Sequence, residues 1–382
     1  MQPLQCLFIV QGEGRGHLTQ ALALRAMLRR AGHHVCGVLV GRGVDREVPG
    51  FFREKIDAPL HYFDSAHFVI DGTNRSIRWL PTLAYNNSRW RQFRESFDLI
   101  NEQLRQHQPD VIINFYEPLG GLFMARYRPA VPMVAVAHQY MFLHPHYAFP
   151  RGFRLQRQAT TFFTRMTASR ATRRLALSLY DAPALPAEGL SVMPPLLRDE
   201  LFAQPTGAVE PFFLIYLFHH SFAEAVLRWH QQNLDVSLHC FWNNPEAEDI
   251  RVYDKTLTFH RLHDEHFLSM MAQCRGVITT AGFESMAEAM YLGKPLLLIP
   301  MNKHFEQHCN GVDGSNAGAG IQAEDFDIDR LIRFLPDYQY DATAFRAWIA
   351  SAETRFIEEI EQAARHTVRV VNIRETGSGV AA

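Results

Sequence analysis

The sequence predicts an α/β protein of two Rossmann-like domains facing each other across a cleft. Three observations carry this. The 382 residues suit two domains, at roughly 100–200 residues each. Short apolar, β-rich runs alternate with longer amphipathic runs, the pattern of a parallel sheet packed between helices. Each half also contains a strand that runs through a turn of small residues into a helix, which places a ligand at the carboxyl ends of the strands.

In the first half, strands are expected at 7–10, 35–40, 111–114 and 133–137. Leu18, Ala21, Leu22, Leu24 and Leu28 mark a helix ended by Gly32. Residues 180–207 are rich in proline and poor in periodicity, so they read as the connection. The domain boundaries follow: 1–185 for the first domain, 186–207 for the linker and 208–342 for the second domain. Within the second, strands are expected at 212–218, 236–241, 277–279 and 295–299, and helices at 222–230, 267–273 and 283–292. Phe345, Trp348, Ile349, Ala352, Phe356, Ile357, Ile360 and Ala363 fall at helical spacing after Asp341, a suitable N-cap. They predict one long terminal helix over 343–370.

Composition narrows the class. Hydrophobic residues are 47% and charged residues 20% of the chain, ordinary values for domains with apolar cores. A formal net charge of −2 gives no reason to expect nucleic acid as a partner. The five cysteines, Cys6, Cys36, Cys240, Cys274 and Cys309, are scattered and odd in number. That argues against a disulfide framework or a zinc site and for a reducing compartment. No run approaches the roughly 20 apolar residues of a spanning helix, and the first apolar run is too short for a signal-peptide core. The expected location is cytoplasmic.

The first turn reads Gly12-Glu13-Gly14-Arg15-Gly16-His17. Glycines let the backbone turn sharply, and the helix start offers free N–H groups to an anion, so Gly14, Arg15 and Gly16 are candidates for a diphosphate. The spacing is G-x-G-x-G, and the acidic residue that dinucleotide folds place after the second strand is missing: that strand ends Leu39-Val40-Gly41. A tight turn without chemistry is the plain alternative. His17, at the tip of the loop, is positioned to take a proton.

The second turn follows strand 277–279. Thr280, Ala281 and Gly282 let a phosphate approach the next helix start. Glu288 lies six residues beyond Gly282, about 9 Å along the helix at 1.5 Å per residue. A carboxylate at that depth can accept hydrogen bonds from both hydroxyls of a ribose diol. Glu284, one turn nearer the phosphate, is expected to point away. After strand 295–299, Lys303, His304, Glu306, Gln307, His308 and Asn310 form a polar cluster. Its carboxylate and amide groups suit the vicinal hydroxyls of a hexose, although a capped, solvated loop would read the same way.

These residues resemble a known family. G-x-G-x-G-H-x-x-x-A-L-A-L in the first half, T-x-A-G-x-x-S-x-x-E-A-x-x-x-G-K-P-x-L-x-I-P in the second, and E-Q-x-x-N after it are similar to GT-B-fold glycosyltransferases. The branch is the one containing the peptidoglycan N-acetylglucosaminyltransferase and the galactolipid (monogalactosyldiacylglycerol) synthases. Residues 110–118 and 131–139 resemble a bacterial and archaeal subgroup of it. The resemblance implies that Glu288 holds the ribose of a UDP-type donor and that the 280–282 turn faces the diphosphate. It implies that Glu306 and Gln307, with Asn310 beside them, bind the donor sugar, that His17 lies near the acceptor, and that the terminal helix crosses back to the first domain. The chain departs from the pattern at Glu13 and Arg15, where small residues are usual, and at Asn114, where many members carry Asp.

Such enzymes invert the anomeric centre by direct displacement of a nucleotide diphosphate, here moving a hexose to a hydroxyl acceptor. His17 is the first candidate for the general base, with Glu13 and Glu117 in reserve. Helix starts and Arg15 would meet the leaving-group charge without a metal or other cofactor. Asp325-Phe-Asp327-Ile-Asp329 offers a D-x-D, but it precedes a helical run, so helix-start carboxylates are expected there.

Between Glu117 and Asp181 there is no acidic residue, while Arg126, Arg128, Arg151, Arg154, Arg157, Arg165, Arg170, Arg173 and Arg174 interleave with aromatic residues. This is either a peripheral face for the anionic inner surface of a membrane, bringing in a lipid-linked acceptor, or a pair of buried helices whose arginines meet acids elsewhere. Three other functions remain open. A non-hydrolysing nucleotide-sugar epimerase would use the same Glu288 but needs more acids and bases than Glu306, His304 and His308 supply. The others are a non-catalytic nucleotide-sugar-binding protein and, disfavoured by the missing ribose acid, a nicotinamide oxidoreductase.

Overall fold

Apolar runs unbroken by charge become strands buried on both faces. Gln5–Gln11 (β1), His34–Arg42 (β2), Leu60–Asp64 (β3), Val111–Phe115 (β4), Met133–Ala137 (β5), Arg173–Leu177 (β6) and Leu190–Met193 (β7) form one sheet in the order β3-β2-β1-β4-β5-β6-β7. Every pairing in it is parallel. A second sheet contains Phe212–Leu217 (β8), Ser237–Trp242 (β9), Ile250–Val252 (β10), Leu257–Arg261 (β11), Gly276–Thr279 (β12), Leu296–Leu298 (β13) and Gly320–Gln322 (β14). Its order is β10-β11-β9-β8-β12-β13-β14, and of the described strands only β10 runs antiparallel to its neighbour. The computed structural model describes residues 2–43, 47–66, 89–205, 207, 209–217, 222–242, 248–302 and 304–376.

Each sheet is wound in both directions from its centre, so strand order reverses between β1 and β4 and again between β8 and β12. The carboxyl ends at such a reversal are where an open α/β sheet binds its ligand. In the first sheet Leu7, Ile9, Leu39 and Ile112 pack against Phe97, Ile100 and Phe123. In the second, Phe213, Ile215, Leu238 and Ile278 pack against Val226 and Leu331.

The chain divides into two units. Met1–Tyr147, Arg154–Leu196 and Ala350–Ala382 form the first, and Ala148–Phe153 with Leu197–Ile349 forms the second. The short excursion Ala148–Phe153 belongs to the second unit through its aromatics. Phe149 stacks on Phe305 at 6.2 Å, and the Phe153 ring lies 4.7 Å from His308.

Three features differ from the sequence reading. Residues 186–207, read as a linker, contain β7, which pairs with β6 inside the first sheet; a four-residue strand between prolines leaves no periodicity to detect. The basic middle holds two helices, Pro118–Tyr127 and Arg154–Thr167, but they are not a buried pair: the second is largely exposed, and β5 and β6 lie in the same stretch. Arg173 of β6 does meet an acid, Glu359 at 3.1 Å, and Arg174 donates to the Glu188 carbonyl. The terminal helix is interrupted at Ser351, giving Ala342–Ala350 and Ala352–Thr376. Asp341 does cap the start, its Oδ1 accepting from the Thr343 N–H at 2.9 Å. Helix Ala352–Thr376 lies on β4, β5 and β7 of the first unit, where Phe356 and Ile360 are fully buried and Arg30 bonds Glu353 at 2.7 Å. Phe218, the last residue of the strand expected at 212–218, lies outside the described residues, as does Lys303.

Helix Pro118–Tyr127 shows how tightly the first unit is closed. A Cβ on Gly121 would meet the Met166 carbonyl oxygen at 2.2 Å, whereas one on Gly120 would meet only Asn114 atoms, at 3.1 Å. Gly121→Ala should therefore lower stability by about 1–3 kcal/mol, the usual cost of overpacking. Gly120→Ala should lose clearly less. Urea denaturation of both variants against wild type measures the difference.

Candidate active site

The predicted residues gather at the carboxyl ends of the central strands, each group within its own unit. In the first unit β1 ends at Gln11, and the Gly12 N–H donates to the Gly41 carbonyl at 2.7 Å. A side chain on Gly12 would strike that same oxygen, and Gly14 adopts φ +84°, so both positions require glycine. Arg15 stands at the N-cap of helix Gly16–Arg30 without a capping side chain, its guanidinium 4.3 Å over the Phe51 ring. His17 is buried, with Nδ1 3.3 Å from Gln20 Oε1, and its ring stacks on Tyr116 at 5.5 Å.

Tyr116 follows β4 in the left-handed region at φ 57°, unusual for a non-glycine residue. It is held by its hydroxyl, 2.8 Å from Thr164 Oγ1, and by edge contacts with Tyr140 and Phe163. Asn114 closes the turn: Oδ1 accepts from the Glu117 N–H at 3.1 Å, while Nδ2 donates to the carbonyls of Glu117 at 3.0 Å and Thr167 at 2.8 Å. An aspartate here would lack those two donor bonds, which explains the departure noted at this position.

Glu117, a reserve candidate for the base, is fully enclosed. Its Oε2 caps helix Pro118–Tyr127 by accepting from the Gly120 N–H at 3.0 Å, and Oε1 accepts from Ser65 Oγ. Burial raises its pKa to about 7, against the lowering effect of those bonds and with a further rise from Glu13. Gly41 leaves the room this carboxyl needs, since a Cβ there would sit 2.5 Å from Oε1. Glu13 is half-buried near the same carboxyl.

In the second unit, Thr280, Ala281 and Gly282 join β12 to helix Phe283–Tyr291, whose N-cap Gly282 provides no side-chain cap. Ala281 takes φ 58° while fully buried. Asn310 braces it, Nδ2 donating to the Ala281 carbonyl at 3.0 Å, and Ser285 Oγ donates to the Gly282 carbonyl at 3.0 Å. Glu284 is half-buried rather than solvated. Gln307 Oε1 accepts from the Met301 N–H at 2.9 Å, and His304 caps helix Phe305–Asn316. Glu306, at the start of that helix, is half-buried. Asp327 caps helix Ile328–Phe334, and Asp329 accepts from Trp229 Nε1 at 3.4 Å, so the D-x-D aspartates serve a helix start.

Glu288 is buried and does not stand alone. Arg198 Nε donates to its Oε1 at 2.6 Å. Sequence reasoning missed Arg198, a single arginine in the stretch read as linker, with no periodicity tying it to a residue 90 positions away. Tyr116, Asn114 and Gly41 were missed as a set because their roles are geometric.

Comparison with known proteins bears on the family and the fold. Residues 4–338 match the family described as glycosyl transferase family 1, and the chain belongs to that family of glycosyltransferases. No curated protein matches it. Among solved structures it is similar to the kitacinnamycin glycosyltransferase (TM-score 0.60, 13% identity, 98% of this chain and 99% of the other). It is also similar to MurG of Acinetobacter baumannii (0.58, 14%, 94% and 99%) and to the UDP-GlcNAc 2-epimerase of Neisseria meningitidis (0.61, 13%, 94% and 100%). At these identities the likeness is one of fold: two Rossmann-like domains of the GT-B type.

The raised pKa of Glu117 has a consequence for stability. A carboxyl whose pKa rises from 4.5 to about 7 on folding binds its proton more tightly in the folded state. Its contribution is fully present below the unfolded value and is lost as pH rises through the folded one. Glu117→Gln mimics the protonated form and cannot ionise. Its stability relative to wild type should rise by about 1–3 kcal/mol between pH 5 and pH 8, as followed by urea denaturation at each pH.

Proposed function

We propose that this glycosyltransferase moves a hexose from a nucleotide-diphosphate sugar, with UDP as the nucleotide, to a hydroxyl acceptor. The reaction inverts the anomeric centre and uses no metal. The observation that carries the reading is the start of helix Phe283–Tyr291, which has no side-chain cap, follows the left-handed Ala281, and bears the buried Glu288. A diphosphate at that helix start would meet free N–H groups and the positive end of the helix dipole, and its ribose would lie at the depth of Glu288. Gln307 Nε2 and Asn310 Oδ1 have no hydrogen bond among the described residues; with Glu306 they offer both donors and acceptors to a sugar.

On the acceptor side His17 would take the proton as the hydroxyl attacks, its ring steadied by Tyr116 and Gln20. Glu117, with one oxygen capping a helix, the other bonded to Ser65 and no exposed surface, suits this proton transfer less well than His17. His17→Ala should lower kcat about 10²–10⁴-fold, the usual contribution of a positioned base, with donor Kd unchanged. Steady-state kinetics together with calorimetric titration of UDP measures both; full activity in the variant would pass the role to Glu13 or Glu117.

A lipid-linked acceptor has support of its own. No described helix is long and apolar enough to cross a membrane. Helix Arg154–Thr167, however, exposes Leu155 (77%) and Phe162 (71%), seven residues apart and so on one side, with Arg154, Arg157 and Arg165 also exposed. Apolar side chains flanked by arginines suit the surface of an anionic bilayer. The protein should float with anionic liposomes and not with neutral ones, and Leu155→Asp with Phe162→Asp should abolish flotation. Equal failure with both liposome types in wild type would remove this reading.

A further inference from the structure

A carboxylate as enclosed as Glu288, whose side chain is 2% exposed, keeps its charge only against a partner. Arg198 is that partner, and the grip is one-sided. Nε donates to Oε1 at 2.6 Å, while Oε2 has no hydrogen-bond partner among the described residues. The guanidinium is held from behind as well, with Nη1 3.9 Å from Asp264 Oδ1 at the start of helix Asp264–Gln273. Burial works against its charge, but Glu288, then Asp264 and Glu200, raise its pKa above the ordinary arginine value.

We infer that Arg198 is a positioning residue for donor recognition: by fixing Oε1 it keeps Glu288 turned so that Oε2 presents a bare acceptor to the ribose diol. This rests on the reading of Glu288 as the ribose site. An ionised carboxylate can only accept, so it rewards a ligand that brings hydroxyl donors and penalises one with hydrogen at the 2′ position. Without Arg198, Oε1 loses its hydrogen bond, the carboxyl is free to turn, and the preference for ribose would fade.

The test is calorimetric titration of UDP and of 2′-deoxy-UDP into wild type, Arg198→Met and Arg198→Lys at pH 6, 7.5 and 9. Wild type should prefer UDP by roughly 10–100-fold at all three, the range of a hydrogen bond to a charged group. In Arg198→Met the preference should shrink to about threefold or less at all three pH values, because the carboxyl is no longer held in direction. Arg198→Lys keeps the charge without the fixed direction of the guanidinium, so its preference should fall between the two and stay flat with pH. Should Arg198→Met fold poorly, adding Glu288→Gln should restore much of the lost melting temperature, because the orphaned charge is gone. A wild-type preference at every pH in Arg198→Met or in Arg198→Lys overturns the proposal. Equal binding of the two nucleotides by wild type overturns the ribose reading of Glu288 itself, and shows before any variant is made.

Discussion

The turn after one central strand of each unit, β4 in the first and β12 in the second, depends on a side-chain amide. After β4, Tyr116 sits at φ 57°, and after β12, Ala281 sits at φ 58°. Neither is glycine, so each conformation needs its surroundings to hold it. Asn114 does this in the first unit through three bonds around Glu117, and Asn310 in the second through one bond to the Ala281 carbonyl. The turn fixes where the next helix begins, and the helix start fixes where charge can be bound. Two amides distant in sequence therefore solve one geometric problem on two unrelated stretches of chain.

Each unit also buries a carboxylate near its turn, and the two are managed in opposite ways. Glu117 has neutral donors, Ser65 and the Gly120 N–H, and burial lifts its pKa toward neutrality. Glu288 has a cation, Arg198, backed by Asp264. A carboxyl that can take up a proton serves as a cap tolerant of either charge state. A carboxyl held through one oxygen by a guanidinium is fixed in direction, which is what recognition of hydroxyl donors requires.

How much of this was readable from the chain follows from how local each signal is. Strands β1, β2, β4, β5, β8, β9 and β12 are apolar runs between polar turns, and each was legible within a residue or two. Strands β3, β6, β7 and β14 were not. Leu60–Asp64 and Arg173–Leu177 carry polar or charged residues at their ends, and Leu190–Met193 is hidden between prolines. They are strands because a parallel neighbour completes them. The candidate site was legible where a motif is contiguous, as at 12–17 and 280–288. It was opaque where function depends on distant partners. Arg198 with Glu288, Gly41 with Glu117, and the Asn310 brace on Ala281 are pairings of tertiary structure, and no window of sequence contains both members.

The interruption at Ser351 bears on how the molecule is made. The helix that follows it, with Phe356 and Ile360 fully buried, completes the surface of β4, β5 and β7. Those strands emerge from a ribosome well before the helix that covers them. The second unit, apart from Ala148–Phe153, is one continuous stretch from Leu197 to Ile349, so all its strands exist before the covering helix does. The first unit must wait, with part of one face of its sheet uncovered until that helix is made. A truncation shortly after Ile349 would accordingly spare the later-built unit and strand the earlier one, exposing apolar surface that a chaperone or a protease would recognise.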